Sequence, residues 1–407
     1  MPYYKRNLIV LSLTIFLASV SWNQVVPFLS LFMKEMGIVD DKKLLTWVGI
    51  VFALQSSASI ISMPFWGKLG DKYGRKPMTI RAGVCLTGIY FAMSLCQTPL
   101  QLAVLRFLNG ALTGFIPSSM ALIATNTPED RVSKSLAFTQ TVSSIGLIVG
   151  PAVGGFLAEK FGYRCSMQVS GASVLISTVL VWLLVREVNK VELANQTTLL
   201  QDLFLSLRSK ALSSVMLTVM VAGIYSQAIY PMLALHLGNL NGGASVELTG
   251  KIMALPPLAL AITAMAWTSL GGKRGHHNTI KLGLIGAALS GFMLFFIHDI
   301  SSFAAIFFIS GIFLAAIGPC TAAIICERVP ESFRGRAYGM VQSSTTVGAL
   351  IAPLAATRIA AEYGIPSIFL FVGLIALIGV IVFSSLASGW GTKAEDRQGL
   401  ESSIFDA

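Results

Sequence analysis

The chain has 407 residues, 54% of them hydrophobic and 12% charged, and a formal net charge of +10. A charged share about half that of a soluble domain excludes a water-soluble globular enzyme and points to a polytopic, all-α membrane protein. The 29 Lys and Arg residues gather in alternate loops, so the positive charge reads as membrane orientation and not as a nucleic-acid footprint.

A span needs about 20 apolar residues to cross a hydrocarbon core of about 30 Å. Such runs fall near 8–33, 44–66, 78–96, 100–124, 133–157 and 165–185, and again near 211–236, 248–270, 282–298, 302–325, 337–357 and 366–388. The first follows Lys5 and Arg6 but is too long for a signal peptide, and more membrane follows it. Twelve transmembrane helices are therefore expected as two pseudo-symmetric six-helix bundles, with no soluble catalytic domain. The bundles are 1–186 and 211–388, joined by a cytoplasmic linker, 187–210, with room for an amphipathic surface helix. Residues 389–407 form a polar cytoplasmic tail with no fold of its own. Basic loops stay in the cytoplasm, so both termini are placed inside a cell (inner, cytoplasmic) membrane.

An internal repeat supports the division. Ala121, Pro128, Glu129, Gln140, Gly146, Pro151 and Gly162 recur as Ala323, Pro330, Glu331, Gln342, Gly348, Pro353 and Gly364, an offset of 202. Leu69, Lys72 and Gly74 recur as Leu270, Lys273 and Gly275 at 201, so one residue was gained or lost between the blocks. A repeat of about two hundred residues in so apolar a chain indicates a duplicated membrane unit. The halves have diverged: Asp71 faces Gly272 in this alignment, Arg106 faces Phe308, and Gly150 and Gly154 face Ala352 and Ala356.

Between spans two and three stand Gly67, Lys68, Gly70, Asp71, Lys72, Gly74, Arg75 and Lys76. Glycines suit a tight turn, and a lone carboxylate among cations suits a helix N-terminus, whose free N–H groups favour an anion. Span four carries Arg106, Asn109 and Gly110, and an arginine inside the bilayer costs a few kcal/mol unless it faces a wet cavity or a partner. Span five carries Gly146, Gly150, Pro151, Gly154 and Gly155, small residues that let helix backbones approach, with a proline that permits a bend.

These three runs resemble signatures of the major facilitator superfamily, and the span-five run resembles that of its twelve-span drug:proton antiporters. Lys5 to Val10, Pro64 to Gly67, Gly74 to Lys76 and Ala121 to Thr125 resemble a bacterial multidrug-efflux branch of it. The resemblance implies a conformational latch, Gly67, Asp71, Gly74, Arg75 and Lys76, in which Asp71 docks on the start of the eleventh helix near Gly335 to Tyr338. It implies that Arg106 helps couple substrate to proton movement and that protons are the coupling ion. It also places a central cavity among spans 1, 2, 4, 5, 7, 8, 10 and 11. Polar and aromatic residues near mid-span there are the candidate substrate contacts: Asn23, Gln24, Phe28, Gln55, Arg106, Asn109, Gln140, Tyr225, Gln227, Tyr230 and Gln342. With Arg106 as its fixed charge, the cavity should favour anionic, zwitterionic or neutral amphiphiles.

The chain departs from the pattern in two places. None of its 19 acidic residues falls at mid-span, so no proton carrier is evident. Thr125 and Asn126 stand where relatives often pair an aspartate with the loop arginine, leaving Glu129 or Asp130 as substitutes. His276 and His277 read as solvated loop residues; they and the interfacial His236 and His298 are weak candidates for the proton. The five cysteines show no CxxC pair, neither metal nor cofactor is expected, and Cys96 and Cys165 are left open as a disulfide.

The expected activity is export of small amphipathic, drug-like molecules by alternating access in exchange for protons, by a monomer in the lipid bilayer. Export of one endogenous metabolite, lipid or siderophore is an alternative, and a transporter-like ligand sensor or scaffold is another from a different class.

Overall fold

The computed structural model describes residues 2–112, 114–188, 199–240, 243–391, 395–396 and 400. All regular structure among them is helical. Among the described residues, ten helices are long and apolar enough to cross a membrane. One of them runs over two spans, broken by non-helical backbone at Gly162, and a further helix carries three cations in its first turns, which completes twelve.

In chain order the first unit's helices are α1 (Tyr3–Glu35), α2 (Asp41–Tyr73), α3 (Arg75–Ser94), α4 (Pro99–Asn126), α5 (129–161) and α6 (163–184). A linker helix follows at Leu199–Arg208. The second set is α7 (Lys210–Asn239), α8 (Val246–Arg274), α9 (His276–Phe296), α10 (Ile300–Arg328), α11 (Glu331–Tyr363) and α12 (Ser367–Ser388). The end of each unit from which its first helix starts is called inner, after the expected orientation. The compact units are 1–194 with 230–254, and 195–229 with 255–407. Thus the outer ends of α7 and α8 sort with the first unit, because α8 there packs tightly on α5.

The recurring glycines have a backbone cause. Gly74 and its mate Gly275 turn α2 into α3 and α8 into α9 with φ of 105° and 87°. Gly162 and Gly364 turn α5 into α6 and α11 into α12 with φ of 84° and 85°. A side chain at such φ clashes with its own backbone, so only glycine makes these abrupt reversals at little cost.

The first unit's core lies between α1, α3, α4 and α6, with Leu11, Ile15, Ala82, Phe115, Leu122 and Val181 at its centre. The second is built likewise around Val215, Ile280, Leu284, Cys320, Phe333 and Phe383. The tail departs from expectation where it is described. Arg328 stacks on Trp390 at 4.4 Å and pairs with Asp396, and Leu400 is buried against the second unit. An indole and a leucine in a polar tail are enough to hold it down. The linker helix is anchored as well, by Asp202 to Arg336 of α11 at 3.1 Å.

Candidate functional site

The structure places the loop between α2 and α3 in an inner clasp. Asp71 pairs with Arg75, one helical turn on. The Arg75 side chain folds back over Gly70, where an added Cβ would lie 3.0 Å from its Nη1. The α3 N-terminus is capped from 112 residues away: Glu187 accepts from the Arg75 N–H at 2.6 Å and the Lys76 N–H at 3.0 Å. A Cβ at Gly74 would lie 2.8 Å from that carboxylate, so glycine is needed there for φ, and any side chain would also have to displace the cap.

The segment bearing Glu187 is tied down on both sides. Asn7 of α1 donates to the Arg186 carbonyl at 2.6 Å and accepts from its N–H at 3.1 Å. Asn126 of α4 accepts from the Val188 N–H at 2.6 Å. Asn126 therefore holds backbone where an aspartate was expected to hold Arg75, whose carboxylate partner is Asp71. Asp130 pairs with Arg131, and the Glu129 side chain lies outside the described residues.

At the other end of α3, Arg164 donates to the Ser94 and Cys96 carbonyls at 2.6 and 2.7 Å. A carboxylate thus sits at the N-terminus of α3 and a guanidinium at its C-terminus, the sense that the helix macrodipole favours. Arg164 lies at the start of α6, and Glu187 lies three residues past its end. Cys96 and Cys165 are free thiols.

Arg106 lies on α4 just before that helix breaks. Regular helix stops at Leu112 and resumes at Phe115, with Gly114 at φ 123° and Pro117 unable to donate. Span two supplies the missing donors: Ser59 and Ser62 donate to the Gly110 carbonyl at 3.3 and 2.9 Å, and the Trp66 indole donates to the Ala111 carbonyl at 2.7 Å. Arg81 stacks on the Trp66 ring at 3.4 Å. On the unbroken side, Arg106 is 2% exposed. Its guanidinium stands 5.5 Å from the Trp22 ring and 5.1 Å from the Phe52 ring, beside the buried Tyr90.

No carboxylate pairs with Arg106 among the described residues. Burying an arginine at mid-bilayer costs about 2.5–3.5 kcal/mol on insertion scales, and desolvated cation–π contacts return about 2 kcal/mol each. The aromatic box is thus enough to hold the charge in place, and the buried Arg106 Nε has no hydrogen-bond partner among the described residues.

The second unit repeats this frame without the charge. Trp267 of α8 donates to the Ile312 carbonyl of α10 at 2.7 Å, where α10 breaks. Gly311 packs on Pro256 and Ala259 as Gly110 packs on Gln55 and Ala58. These contacts hold the offset at 201 through residue 111, and Pro117 matches Pro319 at 202, so the extra residue lies within the break. The repeat mate of Arg106 is accordingly the buried Phe307 and not Phe308. His276, mate of Arg75, is not a solvated loop residue. It begins α9, covers Gly271 as Arg75 covers Gly70, and approaches Glu327 at 3.7 Å.

The glycines of α5 form the expected close seam. Built Cβ atoms at Gly146, Gly150 and Gly154 would lie 2.6, 2.6 and 2.3 Å from Ser19, Asn23 and Gln24 of α1. One at Gly155 would lie 2.6 Å from the Val246 carbonyl of α8, and one at Gly250 would lie 2.2 Å from the Pro151 carbonyl. The motif therefore has two faces, one on α1 and one on α8. Just beyond it, Glu159 accepts from the Glu247 N–H at the start of α8 at 2.6 Å. That backbone hydrogen bond, then the Ser245 side chain, hold its carboxyl below the usual range against slight desolvation, with Lys251 and Lys160 adding to it.

The candidate substrate contacts divide. Arg106, Asn109 and Gln55 come together where α4 meets α2, all buried. Asn23 lies on the α1 seam, its amide donating to the Ser19 carbonyl at 2.8 Å. Gln24 and Phe28 are taken by packing: Gln24 is 2% exposed and donates to the Ser166 carbonyl at 2.7 Å. Both line a void of about 10 Å³ against α6, room for one water. They are not free to meet a ligand here, because their register on α1 turns them away from the face that carries Trp22. Gln140 and Gln342, the repeat mates, are exposed on α5 and α11. In the second unit Tyr225 is buried beside Ser290 and Ser310, while Gln227 is half-buried. Tyr230, also half-buried, falls in the part of α7 that sorts with the first unit. Sequence reasoning passed over Trp22, Phe52, Trp66, Tyr90 and Glu187, because they meet Arg106 or the α3 N-terminus from other helices and nothing near them in the sequence marks the contact.

The family model for the Major Facilitator Superfamily matches residues 11–225 and 212–401. Multidrug resistance protein MdtG of Proteus mirabilis (strain HI4320) is 30% identical over 394 residues, covering 95% of this chain and 96% of that protein. MdtG of Escherichia fergusonii is 30% identical over 385 residues, with 93% of each covered. Among solved structures, the nucleoside transporter NupG aligns with a TM-score of 0.79 at 14% identity over 93% of this chain and 99% of that one. A bacterial homolog of the human lysosomal transporter Spinster aligns with a TM-score of 0.79 at 13% identity, over 98% and 99%. At such identities the structural likeness is one of fold.

Proposed function

The chain belongs to the Major Facilitator Superfamily, so it is a multi-pass membrane transporter and not an enzyme, and we propose that it exports small amphipathic, drug-like compounds by alternating access in exchange for protons. The observation that carries the substrate class is Arg106: a buried cation held by aromatic rings, with no carboxylate partner among the described residues. Such a group attracts a substrate's carboxylate or sulfonate while the rings take its apolar body. The likeness to MdtG proteins supports efflux as the direction. Both termini are assigned to the cytoplasm of a bacterial inner-membrane monomer, on the positive-inside rule.

Asp71 is assigned the latch role. In this reading it exchanges its bond to Arg75 for the N–H groups near Gly335 to Tyr338 when the inner side closes, and Glu187 keeps the α2–α3 turn in shape meanwhile. The test is accumulation of anionic and permanently cationic fluorescent amphiphiles in expressing cells, with and without a protonophore. Lower accumulation of the anionic probe, abolished by the protonophore, is the expected result. Accumulation unaltered by expression overturns efflux, and protonophore-insensitive efflux removes the proton.

A further inference from the structure

α1 and α5 are zipped along their length by Ser19 to Ser143 at 2.8 Å and Ser12 to Thr139 at 3.0 Å, but they part at their inner ends. The gap is a cavity of about 420 Å³, lined by Tyr4, Lys5 and Leu8 from the first turns of α1 and by Asp130, Arg131 and Lys134 from those of α5. Three cations and one carboxylate meet there. Arg131 is partly engaged, donating to the Tyr4 hydroxyl at 2.7 Å and to Asp130 at 3.3 Å. Lys5 and Lys134 have no carboxylate partner among the described residues.

Like charges brought onto two facing helix ends repel one another, and the repulsion is relieved when an anion with several acceptor oxygens lies between them. A phosphate fits this need: it can bridge Lys5 and Lys134 and accept from Arg131 Nη2, the guanidinium nitrogen that neither Tyr4 nor Asp130 engages. Leu8 gives the cavity an apolar floor. Its level, just before α1 becomes continuously apolar, is that of lipid headgroups.

We propose that this cavity is a phosphate-binding site at the inner surface, filled by the headgroup of an acidic phospholipid or by free phosphate. It is separate from Arg106 and does not depend on the export reading. A bound phosphate draws the starts of α1 and α5 together and so stiffens the seam on which Gly146 and Gly150 pack.

The test uses the full-length protein in a neutral detergent, titrated with dihexanoyl phosphatidic acid, dihexanoyl phosphatidylcholine and inorganic phosphate, and followed by thermal unfolding. The acidic lipid should stabilise saturably and the zwitterionic one should not. Removing two surface cations in Lys5→Ala/Lys134→Ala should raise the Kd about tenfold or more, while Lys5→Arg/Lys134→Arg should keep it. Inorganic phosphate that matches the lipid identifies a free-anion site; phosphate that fails where the lipid binds identifies a headgroup site. Equal binding of both lipids, or a Kd unaltered in the alanine variant, overturns the proposal. Should that variant not fold, the salt dependence of wild-type binding decides, because a charge-held phosphate weakens with ionic strength and a salt-independent Kd overturns the site.

Discussion

Arg106 had to face inward on energetic grounds alone, and its neighbours turn out to be rings and not acids. The substitution Arg106→Ala should reduce export of an anionic amphiphile about tenfold or more, since charge-assisted hydrogen bonds contribute about 1.5–3 kcal/mol. It should leave a neutral amphiphile of similar size nearly unaffected, and paired initial rates in proteoliposomes measure both. Glu159 gives a second prediction. Its folded pKa is depressed by the α8 N–H, so its hold on α8 is complete at neutral pH and is lost only as pH falls through that lowered value, below the ordinary glutamate range near about 4.3. Amide exchange over Ser245 to Leu248 should accordingly be slow at pH 7 and faster in Glu159→Ala. Gln24 shows the limit of reading polarity at this scale. A glutamine at mid-span looks like a ligand contact, yet which way it faces depends on a helix register that one residue does not reveal.

Breaks and caps decide the geometry of the helices. Trp66 and Trp267 each donate to a carbonyl freed where α4 and α10 break. Replacing either by Phe keeps the ring and deletes the donor, so each should cost about 1–3 kcal/mol of stability for an unsatisfied buried carbonyl. Trp66→Phe should also slow transport, because α4 carries Arg106, whereas Trp267→Phe should act on stability alone; melting curves and initial rates together separate the two. Glu187→Ala removes the cap on α3 and should cost about 1 kcal/mol, with Glu187→Gln losing only the macrodipole share, about 0.3–1 kcal/mol. The spans themselves and the α5 glycine seam were legible, because apolar length and small residues at fixed spacing are local patterns. The caps were not, since Asn7, Arg164 and Glu187 reach partners 68 to 179 residues away in sequence and nothing local distinguishes them from other polar residues near a helix end.

At the scale of the whole chain, the duplication explains why the same two turn glycines and the same indole-to-carbonyl bond appear twice. It also shows how the halves have diverged: Phe307 stands in the place of Arg106, and His276 in that of Arg75. The repeat was visible in the sequence, but the site of its one-residue shift was not, because the register around residues 112–117 is set by contacts on either side of the break. The first unit thus carries the fixed charge, and the proposed latch with it. Asp71→Asn should weaken the inner closed state and lower export while leaving the thermal midpoint nearly unmoved, since its partner Arg75 is partly exposed and such pairs contribute about 0–1 kcal/mol. The most direct test of Arg106 as the substrate-selecting charge is a pH-jump assay in proteoliposomes with anionic, neutral and permanently cationic amphiphiles of matched size, for wild type and Arg106→Ala. Proton-driven transport that favours the anion, with that preference lost in the variant, is the predicted result. Faster transport of the permanent cation, with Arg106→Ala indistinguishable from wild type, would contradict it.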